Sequence, residues 1–184
     1  MEIRHGEWRG LPSSAAFSAD GRHRFRLTRR LGAGPAVVFV MLNPSRATET
    51  GTDATVSGCV NRARGWGSGL VTVVNLFSFI SPDPRALPGH PGRHDAANDA
   101  AVLDAARRAE LRIAAWGRDR RFRDRAAAVA AMLTCEGLAL HCLAVTKAGA
   151  PRHPRGLSAG LAPRPWPCGT DPEKSRQMRR FIAR

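Results

Sequence analysis

Four apolar runs, each ending in a loop of polar residues, constrain this chain more than any other feature. Val37-Val38-Phe39-Val40-Met41-Leu42 leads into Asn43-Pro44-Ser45, and Leu70-Val71-Thr72-Val73-Val74 leads into Asn75-Leu76-Phe77. Leu111-Arg112-Ile113-Ala114-Ala115 leads into Trp116-Gly117, and Leu138-Ala139-Leu140-His141-Cys142-Leu143 leads, after a longer loop, to His153-Pro154. Such short apolar runs, bounded by turn residues, read as buried strands. In an open parallel sheet the carboxyl ends of the strands share one edge, and ligands bind in the crevice outside it. Four polar loops are then expected to converge on one site.

Helical segments alternate with these runs, which predicts a mostly parallel sheet covered on both faces. The expected fold class is α/β, a three-layer αβα sandwich around a central four-stranded, mostly parallel sheet. Strands are expected at 36–42, 70–75, 111–116 and 138–143. Helices are expected at 52–64, 96–109 and 121–134, with a basic C-terminal helix at 171–183. Asp171 suits the cap of that last helix, and Pro172 its first turn. The segment up to about Arg30 predicts a short antiparallel strand or hairpin on the sheet edge. The whole chain, 1–184, suits a single domain with its core at about 20–160.

The formal net charge is +14, and arginine dominates it. Arg24, Arg26, Arg29 and Arg30 form one group; Arg118, Arg120, Arg121, Arg123 and Arg125 a second; Arg176, Arg179 and Arg180 a third. Such an excess favours a polyanionic partner, because each phosphate neutralised releases a condensed counterion. An arginine-rich proteome encoded by high-GC DNA gives the same excess, so charge alone makes nucleic acid a candidate and no more. The polar N-terminus (Glu2, Arg4, His5, Glu7) is unlike a secretory signal, and no apolar run is long enough to span a bilayer. A cytoplasmic protein, monomeric and with no membrane partner, is expected.

Cys59, Cys135, Cys142 and Cys168 have no C-x-x-C spacing, which argues against a zinc ribbon or a thioredoxin-like pair. Buried, reduced cysteines are the expectation, with no metal and no cofactor. G-x-x-x-x-G-K-[ST], H-E-x-x-H and G-x-S-x-G are absent from the sequence, so nucleotide-loop, zincin and hydrolase-elbow readings have no support.

The polar loops carry the candidate chemistry. Asn43, followed by Pro44, can orient a water or a substrate through its amide, although Asn-Pro also starts ordinary turns. Asn75 offers a donor and an acceptor, which match the O4 and N3–H edge of uracil or thymine. Trp116 is expected to pack under the next helix, with Gly117 permitting a tight turn. His153 lies among Lys147, Arg152 and Arg155. Neighbouring positive charge favours a neutral imidazole there, able to donate a hydrogen bond to a developing oxyanion. Lys147 can bind a phosphate or simply stay solvated. Asp53 suits the cap of the helix that follows it, and as the nearest carboxylate it is also a candidate base.

In order and in residues, these segments resemble the uracil-DNA glycosylase superfamily: strand-polar-Pro, strand-Asn, strand-Trp-Gly and a His-Pro loop. Met41-Leu42-Asn43-Pro44-Ser45, Val74-Asn75-Leu76-Phe77, Asn98-Asp99, Ala115-Trp116-Gly117 and Thr146 to Pro154 are similar, more closely, to a bacterial family of domains of unknown function (sixteen-forty-three) regarded as sharing that fold. The resemblance spans roughly residues 20 to 160. It implies a uracil-DNA glycosylase-like fold and a monofunctional DNA glycosylase acting on a modified pyrimidine, 5-hydroxymethyluracil above all, in base excision repair or restriction of modified DNA. Double-stranded DNA is the implied partner. Asn43 matches the position that holds the attacking water, Asn75 the base-reading position, and His153 the residue that stabilises the leaving base. Ser45 stands where a blocking Tyr is usual, which leaves room for a 5-substituent. Phe77 and Trp66 are the candidates for stacking on the base. Lys147 and Arg152 are candidate DNA contacts, and Arg155 or Leu157 the candidate strand-inserting wedge. A non-catalytic binder of modified DNA or nucleotides, or a hydrolase of free nucleosides, are the alternative functions.

Overall fold

The computed structural model describes residues 1–89 and 95–167. Among these residues eight strands form one mixed sheet. In chain order they are β1 (Glu2–Trp8), β2 (Leu11–Phe17), β3 (Arg24–Arg30), β4 (Ala36–Met41), β5 (Leu70–Asn75), β6 (Leu111–Ala114), β7 (Leu140–Cys142) and β8 (Arg164–Trp166). Three α-helices accompany them: α1 (Ala54–Gly65), α2 (Ala96–Arg107) and α3 (Arg123–Cys135). The spatial order across the sheet is β1-β2-β3-β5-β4-β6-β7-β8.

This overturns the four-stranded, mostly parallel sheet of a three-layer sandwich. The sheet has eight strands, and most of its pairings are antiparallel. The parallel pairings are β5–β4, β4–β6 and β6–β7. The excess comes from the two ends of the described chain. The N-terminal thirty residues make three full strands rather than a short strand or hairpin, and a short strand near residue 165 pairs antiparallel with β7. A tight hairpin forces the first reversal: Arg9 and Gly10 both have positive φ (53° and 73°), between Trp8 and its partner Leu11. Two such residues give the type I′ turn whose twist suits a two-residue hairpin.

Alternation along the strands divides the core into two apolar clusters, one on each face of the sheet. Val37, Phe39 and Met41 of β4 join Val56, Cys59, Val60 and Ala63 of α1 in one cluster, together with Trp8, Phe17 and Leu27 of the N-terminal strands. Val38 and Val40 join Val102 and Ala106 of α2 and Val129 and Leu133 of α3 in the other. Asp53 caps α1 by accepting from the Val56 amide at 2.8 Å, and Asp95 caps α2 by accepting from the Asn98 amide at 2.6 Å. The turn before β4 and the turn before β5 are packed backbone to backbone. A Cβ on Gly34 would sit 2.5 Å from the Gly67 carbonyl oxygen, so only glycine fits there.

Cys59 and Cys142 are buried as expected, and burial pushes the Cys59 thiol up to about 12. Cys135 is exposed at the end of α3, which corrects the expectation for it. Cys168, the expected helix at 171–183 and the third arginine group lie outside the described residues. No helix among the described residues is long and apolar enough to cross a membrane.

Candidate functional site

At the carboxyl ends of the parallel strands lies a cavity of about 330 Å³. Asn43 and Ser45 reach it from the loop after β4, Asn75 from the last residue of β5, and His153 and Arg155 from the loop before β8. Asp53 at the start of α1 and Trp116 after β6 complete the wall. The loops are locked to one another by main-chain bonds that continue the sheet. Leu76 N donates to Met41 O at 2.9 Å, Phe77 N to Leu42 O at 3.0 Å, and Ser81 N to Pro44 O at 2.9 Å.

The polar groups have defined orientations. Asn43 spends its amide nitrogen on two main-chain carbonyls, Pro44 O at 2.9 Å and Ser81 O at 2.8 Å. Its Oδ1 is therefore the acceptor it can present to a water or substrate. Asn75 is buried, and its Oδ1 has no hydrogen-bond partner. A buried acceptor left so costs about 1–3 kcal/mol, and such an atom in a cavity wall calls for a donor from a ligand or a water. His153 Nδ1 accepts from the Arg155 amide at 3.0 Å. Burial first, then the Arg155 charge, pushes the His153 imidazole below its ordinary pKa, with Asp53 pulling the other way. At neutral pH the ring is thus neutral with its proton on Nε2, which makes Nε2–H a donor.

The structure adds a residue that the sequence did not single out for the site. Arg24 of β3 is buried in the cavity wall and donates to Ala47 O at 2.6 Å. Burial pushes its guanidinium down to about 10, opposed by the carboxylate of Asp53. Two further buried arginines act on the loops behind the site. Arg29 of β3 donates to Thr48 O at 2.6 Å, Gly51 O at 2.7 Å and Glu49 O at 3.2 Å, and it also bonds Ser13 Oγ. Arg62 of α1 donates to Leu157 O at 2.7 Å, Pro154 O at 3.2 Å and Ser158 O at 3.3 Å. One arginine thus clamps the loop after β4, and the other clamps the His153 loop. Their signal in the sequence was hidden, because arginine is almost never fully buried unless its donors are satisfied. Main-chain carbonyls accept from their terminal nitrogens, while the Nε of each is buried without a hydrogen-bond partner.

The Asn98-Asp99 pair has a similar supporting place. Asn98 Nδ2 donates to Asn75 O and Leu76 O, both at 3.1 Å, while Asp99 pairs with Arg125, whose Nε donates to Leu76 O at 2.8 Å. Both hold the backbone that carries Asn75.

Other sequence candidates stand elsewhere. Phe77 is in the core, edge-on to Phe122 at 5.1 Å, and does not line the cavity. Trp66 is at the far end of α1, stacked on Phe39 at 5.9 Å. Neither meets a base in the cavity. Leu157 packs against the core rather than projecting outward. Lys147 and Arg152 are exposed and outside the cavity wall, and Arg155 is exposed at its rim. Trp116 is buried edge-on to Trp166 of β8 at 5.3 Å and also faces the cavity. Among the described residues no cluster of three or more His, Cys, Asp or Glu could hold a metal ion.

A family model described as Protein of unknown function (DUF1643) matches residues 24–155. The chain belongs to this family. The matched span begins at Arg24 and ends at Arg155, and both line the cavity, so the DUF1643 region holds every residue of its wall. Strands β1, β2 and β8 fall outside it. No curated protein and no solved structure matches the chain.

Proposed function

We propose that this protein is a DNA glycosylase of the uracil-DNA glycosylase superfamily, hydrolysing the N-glycosidic bond of a modified pyrimidine flipped out of double-stranded DNA. 5-Hydroxymethyluracil is the base we favour. One observation carries the reading: Asn43, Asn75 and His153, far apart in the chain, line one cavity. Its volume of about 330 Å³ has room for one everted base.

The unpartnered Oδ1 of Asn75 supports base reading, since the N3–H of a uracil ring is the donor it lacks. Its amide nitrogen then serves O4. Cleavage develops negative charge on the departing base and positive charge on the sugar. The Nε2–H of neutral His153 stabilises the base anion, and the Arg24 guanidinium adds a positive field from the same wall. Asn43 Oδ1 holds the water that adds at C1′. An amide takes no proton as a carboxylate would, so catalysis rests on positioning and electrostatics. The cavity wall contains no lysine among the described residues, which fits a monofunctional enzyme without lyase activity. Ser45, small and in the wall, leaves space for a 5-substituent.

The test is base release from duplexes carrying uracil, 5-hydroxymethyluracil or mismatched thymine, followed by alkaline cleavage of abasic sites. Strand scission greatest for 5-hydroxymethyluracil is expected. A gel shift without scission makes the protein a binder. Release from free nucleosides alone makes it a nucleoside hydrolase.

A further inference from the structure

A second concavity, of about 300 Å³, lies on the α2 side of the sheet at the opposite ends of the strands. It reaches the first residues of β4 and β5, Ala36 and Leu70, whereas the first cavity reaches their last residues. A six-residue strand separates the two by about 17 Å. No base held in the first cavity reaches this groove.

The sheet register builds its floor. His5 pairs with Ser14, Ser14 with Thr28, and Thr28 with Thr72, so four polar side chains stand in one row across β1, β2, β3 and β5. Neighbouring strands are about 4.8 Å apart, which sets the three hydroxyls at that pitch. The next residue of the row, Val38 of β4, is fully buried in the cluster that α2 covers. The row therefore emerges from under the helix into the open. Arg26 and Arg30 flank Thr28 on the same strand face, two positions to either side. The facing wall is Ala105 in the last turn of α2 and Arg108 and Ala109 just after it.

The charge is unbalanced. Arg26 and Arg108 share one carboxylate, Asp104, at 3.1 and 2.8 Å. Arg30 is exposed and pairs with no carboxylate among the described residues. Glu110 at one end is turned to the Ala36 amide at 2.7 Å. Guanidinium forks beside hydroxyl donors suit phosphoryl oxygens, and His5 is the one ring in the lining.

We propose that this groove is a binding site for a small phosphate monoester of sugar-phosphate or nucleotide size, separate from the base-binding cavity. The phosphate sits between Arg30 and Arg108 over the Thr28 and Thr72 hydroxyls.

Ribose 5-phosphate, ribose and inorganic phosphate, titrated into the full chain by calorimetry, test it. Ribose 5-phosphate lacks a base and so has no claim on the first cavity. It is expected to bind saturably, about tenfold or more tighter than either other probe. Arg30→Gln and the isosteric Thr28→Val are expected to weaken it about threefold or more each, with the melting curve unchanged, and Asn75→Ala to leave it alone. Absence of saturable binding overturns the site. Ribose or inorganic phosphate binding as tightly overturns the ligand class. Loss in Asn75→Ala with retention in the groove variants moves the ligand to the other cavity and overturns the proposal. Tighter binding of a single-stranded oligonucleotide, displacing ribose 5-phosphate, replaces the small ligand with a strand and overturns it too.

Discussion

The parallel strands β5-β4-β6-β7 and the antiparallel strands β1-β2-β3 share one sheet but are built on opposite plans. The central parallel strand β4 is apolar on both faces and covered: Val37, Val38, Phe39 and Val40 are all completely buried. The parallel strands bring Asn43, Asn75 and Trp116 together at their carboxyl ends. The antiparallel strands bury one face and leave the other partly open, with Ser14, Thr28, Arg26 and Arg30 along a groove. Their polar residues lie within the strands themselves. The comparison teaches a division of labour. One region presents reactive groups, and the other, through Arg24 and Arg29 of β3, holds the loops that present them.

The largest expected effect breaks this division at the parallel side. His153→Ala and Asn43→Ala should each slow base release about a hundredfold or more while DNA binding persists, read by single-turnover cleavage and gel shift. Full activity in both variants removes the site from the parallel strands. The next tests the supporting role of β3. Arg29→Met orphans the carbonyls of residues 48, 49 and 51 and should cost about 3 kcal/mol in urea unfolding. A variant as stable as the parent makes the antiparallel strands bystanders. Asn75→Asp sharpens the assignment of base reading: the preference among bases should shift by about tenfold, measured over the same duplex panel. Unchanged selectivity ends that role.

The smallest concerns His141 of β7, which is buried with neither ring nitrogen hydrogen-bonded. Burial, aided by Arg112, pushes its imidazole down to about 4. The unfolded chain takes up this proton at its ordinary value of 6.5 while the folded chain does not, so the penalty is absent above 6.5 and complete below about 4. His141→Leu should flatten the loss of stability across that window and raise stability at pH 7 by about 1 kcal/mol, read by melting at a series of pH values. Unaltered pH dependence assigns the acid sensitivity elsewhere.

The sequence made the parallel strands legible and the antiparallel ones obscure for the same physical reason. A doubly covered strand must be a continuous apolar run, and Leu70–Asn75 is bounded as its residues predict. Strand β1, Glu-Ile-Arg-His-Gly-Glu-Trp, is an exposed edge whose charges mask its pattern, so three strands read as a short strand or hairpin. That misjudged the sheet's size and direction. The loop residues after β4 and β5 could be read because strand ends meet at one edge whatever is added alongside. The aromatic candidates could not. Phe77 and Trp66 are near the motifs in sequence, yet packing rather than proximity decides where a ring points. Arg24, Arg29 and Arg62 were unreadable as interior residues, because their carbonyl partners come from loops up to 96 positions away.

Those three side chains also change what the molecule shows to its surroundings. Of the 29 lysines and arginines, Arg24, Arg29 and Arg62 are buried and donate to main-chain carbonyls. A ligand approaching from outside meets a surface less cationic than a titration of the sequence implies. Its affinity should respond to ionic strength more mildly than a count of basic residues suggests.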